Sequence, residues 1–147
     1  MKLHNLAGIL ATVAGITPTV LGTTIESGLY GTIAVAHKYA GFVTFKHSPH
    51  PDSDWQVQGT HNDHFIIRHR GTGLYINCDG GKDEPFVGAV CDLQEKPTEF
   101  DLTKAPHGSG SFKITIPNRS LSWGLSSETG VLLLKKTFRP QTFKFVD

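Results

Sequence analysis

The sequence predicts an all-β domain, and three observations carry that expectation. Helical periodicity is nearly missing: the apolar segments are short, rich in β-branched and aromatic residues, and alternate in character. Sixteen Gly and eight Pro punctuate them at turn-like spacing. The chain also repeats itself. The stretch HFIIRHRGTGLYI from His64 matches SFKITIPNRSLSW from Ser111 at a constant offset of 47 residues, aligning Phe65 with Phe112, Ile67 with Ile114, Leu74 with Leu121 and Ile76 with Trp123.

The first element in order is not part of the repeat. Residues 1–22 place Lys2 ahead of an apolar run from Leu6 to Ile16 and end on Val20-Leu21-Gly22. This reads as a secretory signal peptide cleaved after Gly22, leaving Thr23–Asp147 as one domain. The run is too short to span a bilayer, and no later segment is apolar enough to do so. The expected location is extracellular.

Three units of about four strands each follow, over about 26–58, 64–105 and 111–147. Each closes on an aromatic-x-apolar strand: Trp55-Gln56-Val57, Phe100-Asp101-Leu102 and Phe143-Lys144-Phe145. In the second unit alternation sends Leu74 and Ile76 inward and Tyr75 and Asn77 outward. One unit cannot bury its own apolar row, so the three must share a core. The expected core is Trp55, Phe65, Ile67, Phe100, Leu102, Phe112, Ile114, Phe143 and Phe145, and the register with Ile76 turns Trp123 inward as well.

Cys78 and Cys91, the only two cysteines, flank turn material in the second unit. In an oxidising compartment one disulfide is the simplest outcome. It would staple a hairpin between strand-like Leu74–Cys78 and Phe86–Cys91. Two cysteines are too few for a metal centre, and a redox pair is normally closer. Secretion also gives meaning to the sequon Asn118-Arg119-Ser120, a glycosylation site behind Pro117.

Three four-stranded units of about forty residues, each closed by an aromatic-x-apolar strand, resemble the β-trefoil, a fold of pseudo-threefold symmetry. Within it the chain is similar to the ricin B-type lectin family and its secreted fungal relatives. Gly73-Leu74-Tyr75-Ile76-Asn77 resembles the second strand of a ricin-type repeat. The Cys78/Cys91 hairpin resembles that family's disulfide, and Gln141-Thr142-Phe143 its Gln-x-Trp motif with Phe in place of Trp. The departures are specific. Ser53 and Thr98 stand at the other two Gln positions. The family's sugar-binding Asp falls on Asn77 and Gly124, and its stacking aromatic falls on Ala89.

The resemblance implies a non-enzymatic carbohydrate binder whose partners are glycans or glycoproteins. Sugar binding needs an aromatic face and a few fixed polar groups. The second unit offers Tyr75, Asn77, Asp79 and Asp92, with Tyr75 or Phe86 standing in for the aromatic missing at Ala89. As an outward polar residue, Asn77 should be replaceable by Ala without loss of folding. The alternative carried by the same fold is an inhibitor of a secreted serine or cysteine protease, presenting Arg119-Ser120 to the enzyme.

Other chemistries find little support. Formal charge is +1 with no basic run, so nucleic acid is not an expected partner. His47-Ser48-Pro49-His50 and His61-Asn62-Asp63-His64 complete no ligand set, so no metal or other cofactor is expected, and the histidines should gain charge as pH falls through about 6.5. No Gly-x-Ser-x-Gly nucleophile occurs, and Asp83-Glu84 is a hydrophilic turn. Composition leaves the oligomeric state open.

Overall fold

A computed structural model describes residues 19–37, 41–47, 50–106 and 110–147. Twelve strands run through them in three sets of four. The first unit holds β1 (Thr19–Ser27), β2 (Ile33–Ala36), β3 (Val43–Lys46) and β4 (Trp55–Gly59). The second holds β5 (Phe65–His69), β6 (Tyr75–Asn77), β7 (Asp92–Gln94) and β8 (Asp101–Lys104). The third holds β9 (Phe112–Thr115), β10 (Ser122–Leu125), β11 (Leu132–Lys135) and β12 (Phe143–Val146).

Six strands make a barrel. Antiparallel pairing runs β8–β9–β12–β1–β4–β5. Reciprocal bonds between Phe65 and Phe100, at 2.8 and 2.7 Å, join β5 to the start of β8 and close the ring. The remaining hairpins, β2–β3, β6–β7 and β10–β11, cap one end. They touch through three bridges in equivalent register: Phe42 with Asp92, Val90 with Leu133, and Val131 with Thr44. A closed six-stranded barrel capped by three mutually bridged hairpins is a β-trefoil.

The residue two before each closing aromatic explains the Gln-x-aromatic motif. Gln141 Oε1 accepts the Leu125 N–H at 3.2 Å. One unit earlier, Thr98 Oγ1 accepts the equivalent Cys78 N–H at 2.8 Å. In the first unit the Asp52 carbonyl takes the Ala36 N–H at 3.0 Å, and Ser53 turns away to donate to the His50 carbonyl. The fold requires an acceptor for this amide, not a glutamine.

The core follows the expected alternation. Trp55, Ile67, Phe100, Ile114, Trp123 and Phe143 are fully buried, with Phe112 and Phe145 nearly so. Phe65 and Leu102 are only partly buried. Both lie on β5 and β8, the strands that share a single bridge, and pack against the core from its edge. Phe100 and Phe143 each meet Trp123 edge-on at 5.4 Å, and Phe45 reaches Phe143 at 5.6 Å. This chain of rings links all three units.

Two local expectations are corrected. Cys78 and Cys91 do form a disulfide across the second hairpin, but Phe86–Cys91 is not a strand. Gly88 adopts φ 85° within a turn there, which breaks the extended run, and β7 begins only at Asp92. The first unit starts earlier than residue 26, because β1 begins at Thr19 and crosses the Gly22–Thr23 bond. Thr23 to Ser27 hold the pairings with Trp55 and with all of β12, so a chain starting at Thr23 forfeits only the pairings of Thr19 and Val20. Residues 1–18, the bulk of the expected signal peptide, lie outside the described residues.

Trp123→Ala removes the ring at the centre of the aromatic chain. It should cost about 3–5 kcal/mol, read from the shift of the urea unfolding midpoint. A loss under about 1 kcal/mol would place the shared core elsewhere.

Candidate functional site

The second hairpin and its neighbour gather polar groups around one carboxylate. Antiparallel register sets Asn77 on β6 opposite Asp92 on β7, and Phe42, the residue before β3, opposite Asp92 on its other side. Directly opposed residues share a face with Cβ atoms about 4.5–5.5 Å apart. Phe42, Asp92 and Asn77 therefore form a row across three strands. Phe42 is 41% exposed. Asp92 Oδ2 accepts from Gln94 Nε2 at 2.9 Å, while its Oδ1 is buried and has no partner in the protein. Burial pushes the Asp92 carboxyl above its usual range; the Gln94 bond opposes this, the nearby Asp79 charge adds to it, and Asp92's own backbone N–H opposes it.

Asn77 is the main correction to the sequence reading. It is 3% exposed, not outward-facing and free. Its Nδ2 donates to the Lys96 carbonyl at 2.9 Å and to Asp79 Oδ2 at 3.3 Å, and its Oδ1 accepts the Asp79 N–H at 3.0 Å. Asp79 Oδ1 in turn takes the Gly81 N–H at 2.8 Å. Asn77 and Asp79 thus organise the loop beside Asp92. Alternation fails for Asn77 because the Lys96 carbonyl, from the loop after β7, and Asp79 close over its amide.

The two aromatics expected to replace Ala89 are engaged. Arg68 lies over the Tyr75 ring at 5.7 Å and is pinned by its bond to the Gly73 carbonyl at 3.0 Å. Phe86 packs on Gly80 and carries Lys82 Nζ at 4.8 Å. Phe42 is the exposed ring, and it comes from the first unit. Its signal was faint: an apolar residue out of phase with the inward pair Val43 and Phe45, in the unit that fits the repeat least.

Threefold comparison sharpens the point. The Phe42/Asp92 bridge is equivalent to Val131/Thr44 and Val90/Leu133. The positions equivalent to Asn77 are Val35 and Gly124. Over Gly124 lies the stem of Lys135, whose Nζ donates to the Leu125 carbonyl at 3.0 Å, so the third hairpin is filled.

Arg119 is not a free bait. Its guanidinium donates to Glu84 Oε2 at 3.0 Å and to the Pro85 carbonyl at 3.3 Å. Asn118 beside it is exposed with φ 61°, a left-handed position that Asn tolerates well. Among the histidines, His64 pairs with Asp101 at 2.7 Å. His69 is buried against Trp55, and burial lowers its pKa, so it does not follow the titration expected near 6.5. Among the described residues no group of three or more His, Cys, Asp or Glu is arranged to hold a metal; Ser48 and Pro49 of the first histidine motif lie outside them.

The chain matches no protein-family model and no curated protein. Its architecture is similar to that of a number of solved structures, three of which illustrate the likeness. One is the ricin B-like lectin of Macrolepiota procera in complex with lactose (TM-score 0.72, 15% identity, 92% of this chain and 97% of that one). Another is the Rhizoctonia solani agglutinin (TM-score 0.72, 15% identity, 93% and 99%). The third is ThreeFoil, a designed threefold-symmetric protein (TM-score 0.70, 11% identity, 85% and 97%). At these identities the likeness is one of fold: the chain is a β-trefoil resembling the ricin B-like lectins.

Two substitutions test the site's construction. Asn77→Ala strands the Lys96 carbonyl and the Asp79 N–H, so it should destabilise by about 1–3 kcal/mol in urea. An unchanged midpoint would return Asn77 to the surface. Asp92→Asn should behave oppositely. The raised folded pKa means that Asp92 favours folding below the unfolded-chain value of 3.8 and costs stability as pH rises through the folded value. The variant should therefore be more stable than the parent at pH 7, with the gain shrinking as pH falls toward 3.8.

Proposed function

We propose that this is a secreted, non-enzymatic carbohydrate-binding protein that holds a neutral sugar residue against Phe42, with Asp92 accepting hydrogen bonds from its hydroxyls. One observation carries the reading. At a position where the other two units place Thr44 and Leu133, the second places a carboxylate whose Oδ1 is buried without a partner, beside an exposed ring. Burial raises the pKa of that carboxylate, so its charge costs stability at neutral pH, as binding groups often do. An aromatic face beside a fixed acceptor suits the apolar face and hydroxyls of a sugar ring. Asp79 adds further negative potential, so neutral glycans should be preferred over sialylated ones.

The Cys78–Cys91 disulfide supports an extracellular location, and exposed Asn118 is a suitable glycan acceptor. Amino-terminal sequencing and glycosidase treatment of the exported product test both; a start at Met1 with no glycan would reject them. Protease inhibition through Arg119 is the weaker reading, because the side chain is already engaged.

A glycan array decides the matter. The protein should retain neutral glycans, and both Phe42→Ala and Asp92→Asn should weaken retention at least about tenfold, on the scale of a lost stack or charged hydrogen bond. Binding to no glycan, or binding indifferent to both variants, rejects the proposal.

A further inference from the structure

One aromatic ring stands clear of the rest of the chain. Phe138, in the loop from β11 to β12, has a relative exposure of 105%, against 61% for Leu29, the next most exposed large apolar residue. A ring held in water contributes nothing to the core and loses by its exposure.

The loop that carries it is cationic and braced. Lys136 and Arg139 flank Phe138, both are exposed, and among the described residues neither pairs with a carboxylate. The Arg139 N–H donates to Thr137 Oγ1 at 3.1 Å, a local turn that presents the ring between the two cations. Lys135 is not part of this surface, because its Nζ is bound to the Leu125 carbonyl.

A second apolar group lies alongside. Val87 is 59% exposed in the turn before β7. Gly88 N–H donates to the Leu134 carbonyl at 2.8 Å, and Leu134 N–H to the Ala89 carbonyl at 3.0 Å. That turn is therefore pinned along the end of β11, where the loop departs, and Val87 and Lys136 border one groove. Glu84 on the same groove is paired with Arg119 at 3.0 Å, and Lys82 and Asp83 offset each other in sequence. Lys136 and Arg139 are the charge left uncompensated.

Protruding apolar groups among long, unconstrained cations suit a planar anionic boundary, where the ring passes the headgroups and the cations meet phosphates. A protein partner would need a complementary surface of about 1,000 Å² with directed polar pairs. Neither cation is held in a fixed direction for such pairing.

We propose that the β11–β12 loop, with Val87 beside it, docks the protein on bilayers that carry anionic lipid, with Phe138 entering the interface and Lys136 and Arg139 binding headgroup phosphates. One ring and two cations make the contact weak, reversible and sensitive to salt. It uses no residue of the site at Asp92 and does not rest on that reading.

The test is sedimentation of the full chain with vesicles of phosphatidylcholine, with and without one-third phosphatidylglycerol. All samples carry Ser120→Ala, which removes the sequon beside the groove and leaves Asn118 at its left-handed φ of 61°. Partition onto the anionic vesicles should exceed that onto phosphatidylcholine at least about tenfold. It should fall toward the phosphatidylcholine level at about 1 M salt, where the Debye length is about 3 Å. Phe138→Ala, and Lys136→Gln with Arg139→Gln, should each lower it about tenfold. Urea midpoints should not move, because all three side chains are exposed. In Phe138→Trp the new indole should shift to the blue on anionic vesicles and be quenched by brominated lipid, over a constant background from the fully buried Trp55 and Trp123. Three results overturn the proposal: no preference for anionic vesicles, an indole at position 138 that stays in water, or partition untouched by Phe138→Ala, which would assign the contact to another segment such as the apolar run from Leu6 to Ile16. Capture of the loop by an acidic protein, with vesicles left unbound, overturns it equally.

Discussion

Everything in this molecule depends on three weak units sharing one interior. Phe45, Phe143, Trp123 and Phe100 form a continuous line of rings drawn from the first, third and second units. Edge-to-face contacts of this kind add about 0.5–1.5 kcal/mol each beyond the area they bury. More important, none of these contacts forms within a single hairpin that stands alone. The core tolerates a defect to keep the arrangement: Trp123 Nε1 is buried without a partner, whereas Trp55 Nε1 donates to the Ala34 carbonyl at 3.0 Å.

Because the barrel and core hold the fold, the outer face of the cap is free to vary. The three bridges that join the hairpins use the same backbone geometry with different side chains: Phe42/Asp92, Val131/Thr44 and Val90/Leu133. Backbone pairing needs none of these identities. The second hairpin also carries the disulfide, which ties the end of β6 to the residue before β7 and limits how far the loop around Asp79 can open. A half-buried carboxylate is thereby placed on a stiff support, as a binding group requires.

The repeat, the closing aromatics and the inward register were legible in the chain because burial leaves a period-two trace in sequence. Trp55, Ile67, Phe100, Ile114 and Phe143 follow it without exception. Phe65 and Leu102, on the two strands joined by a single bridge, are packed against the core but only partly buried. The candidate site was half legible. Asp92 and Asp79 stand out as polar groups on the disulfide hairpin. Asn77 was read outward because alternation knows nothing of a later segment folding back over it.

The sequence by itself determined the all-β class, the three units, the shared core and the cysteine pair. Each follows from local pattern or composition, and such information survives in one dimension. Only the tertiary structure decided that Phe42 of one unit faces Asp92 of another, that Arg68 covers Tyr75, that Lys135 fills the third hairpin, and that Tyr30 and Thr32 border a cleft with Ser126 and Glu128. The first and last are contacts between units, set by how the three hairpins close around a common axis; the other two lie within a unit, where the side chain on a neighbouring strand decides what covers the position. A repeat fixes what each unit contains, and closure fixes which faces meet.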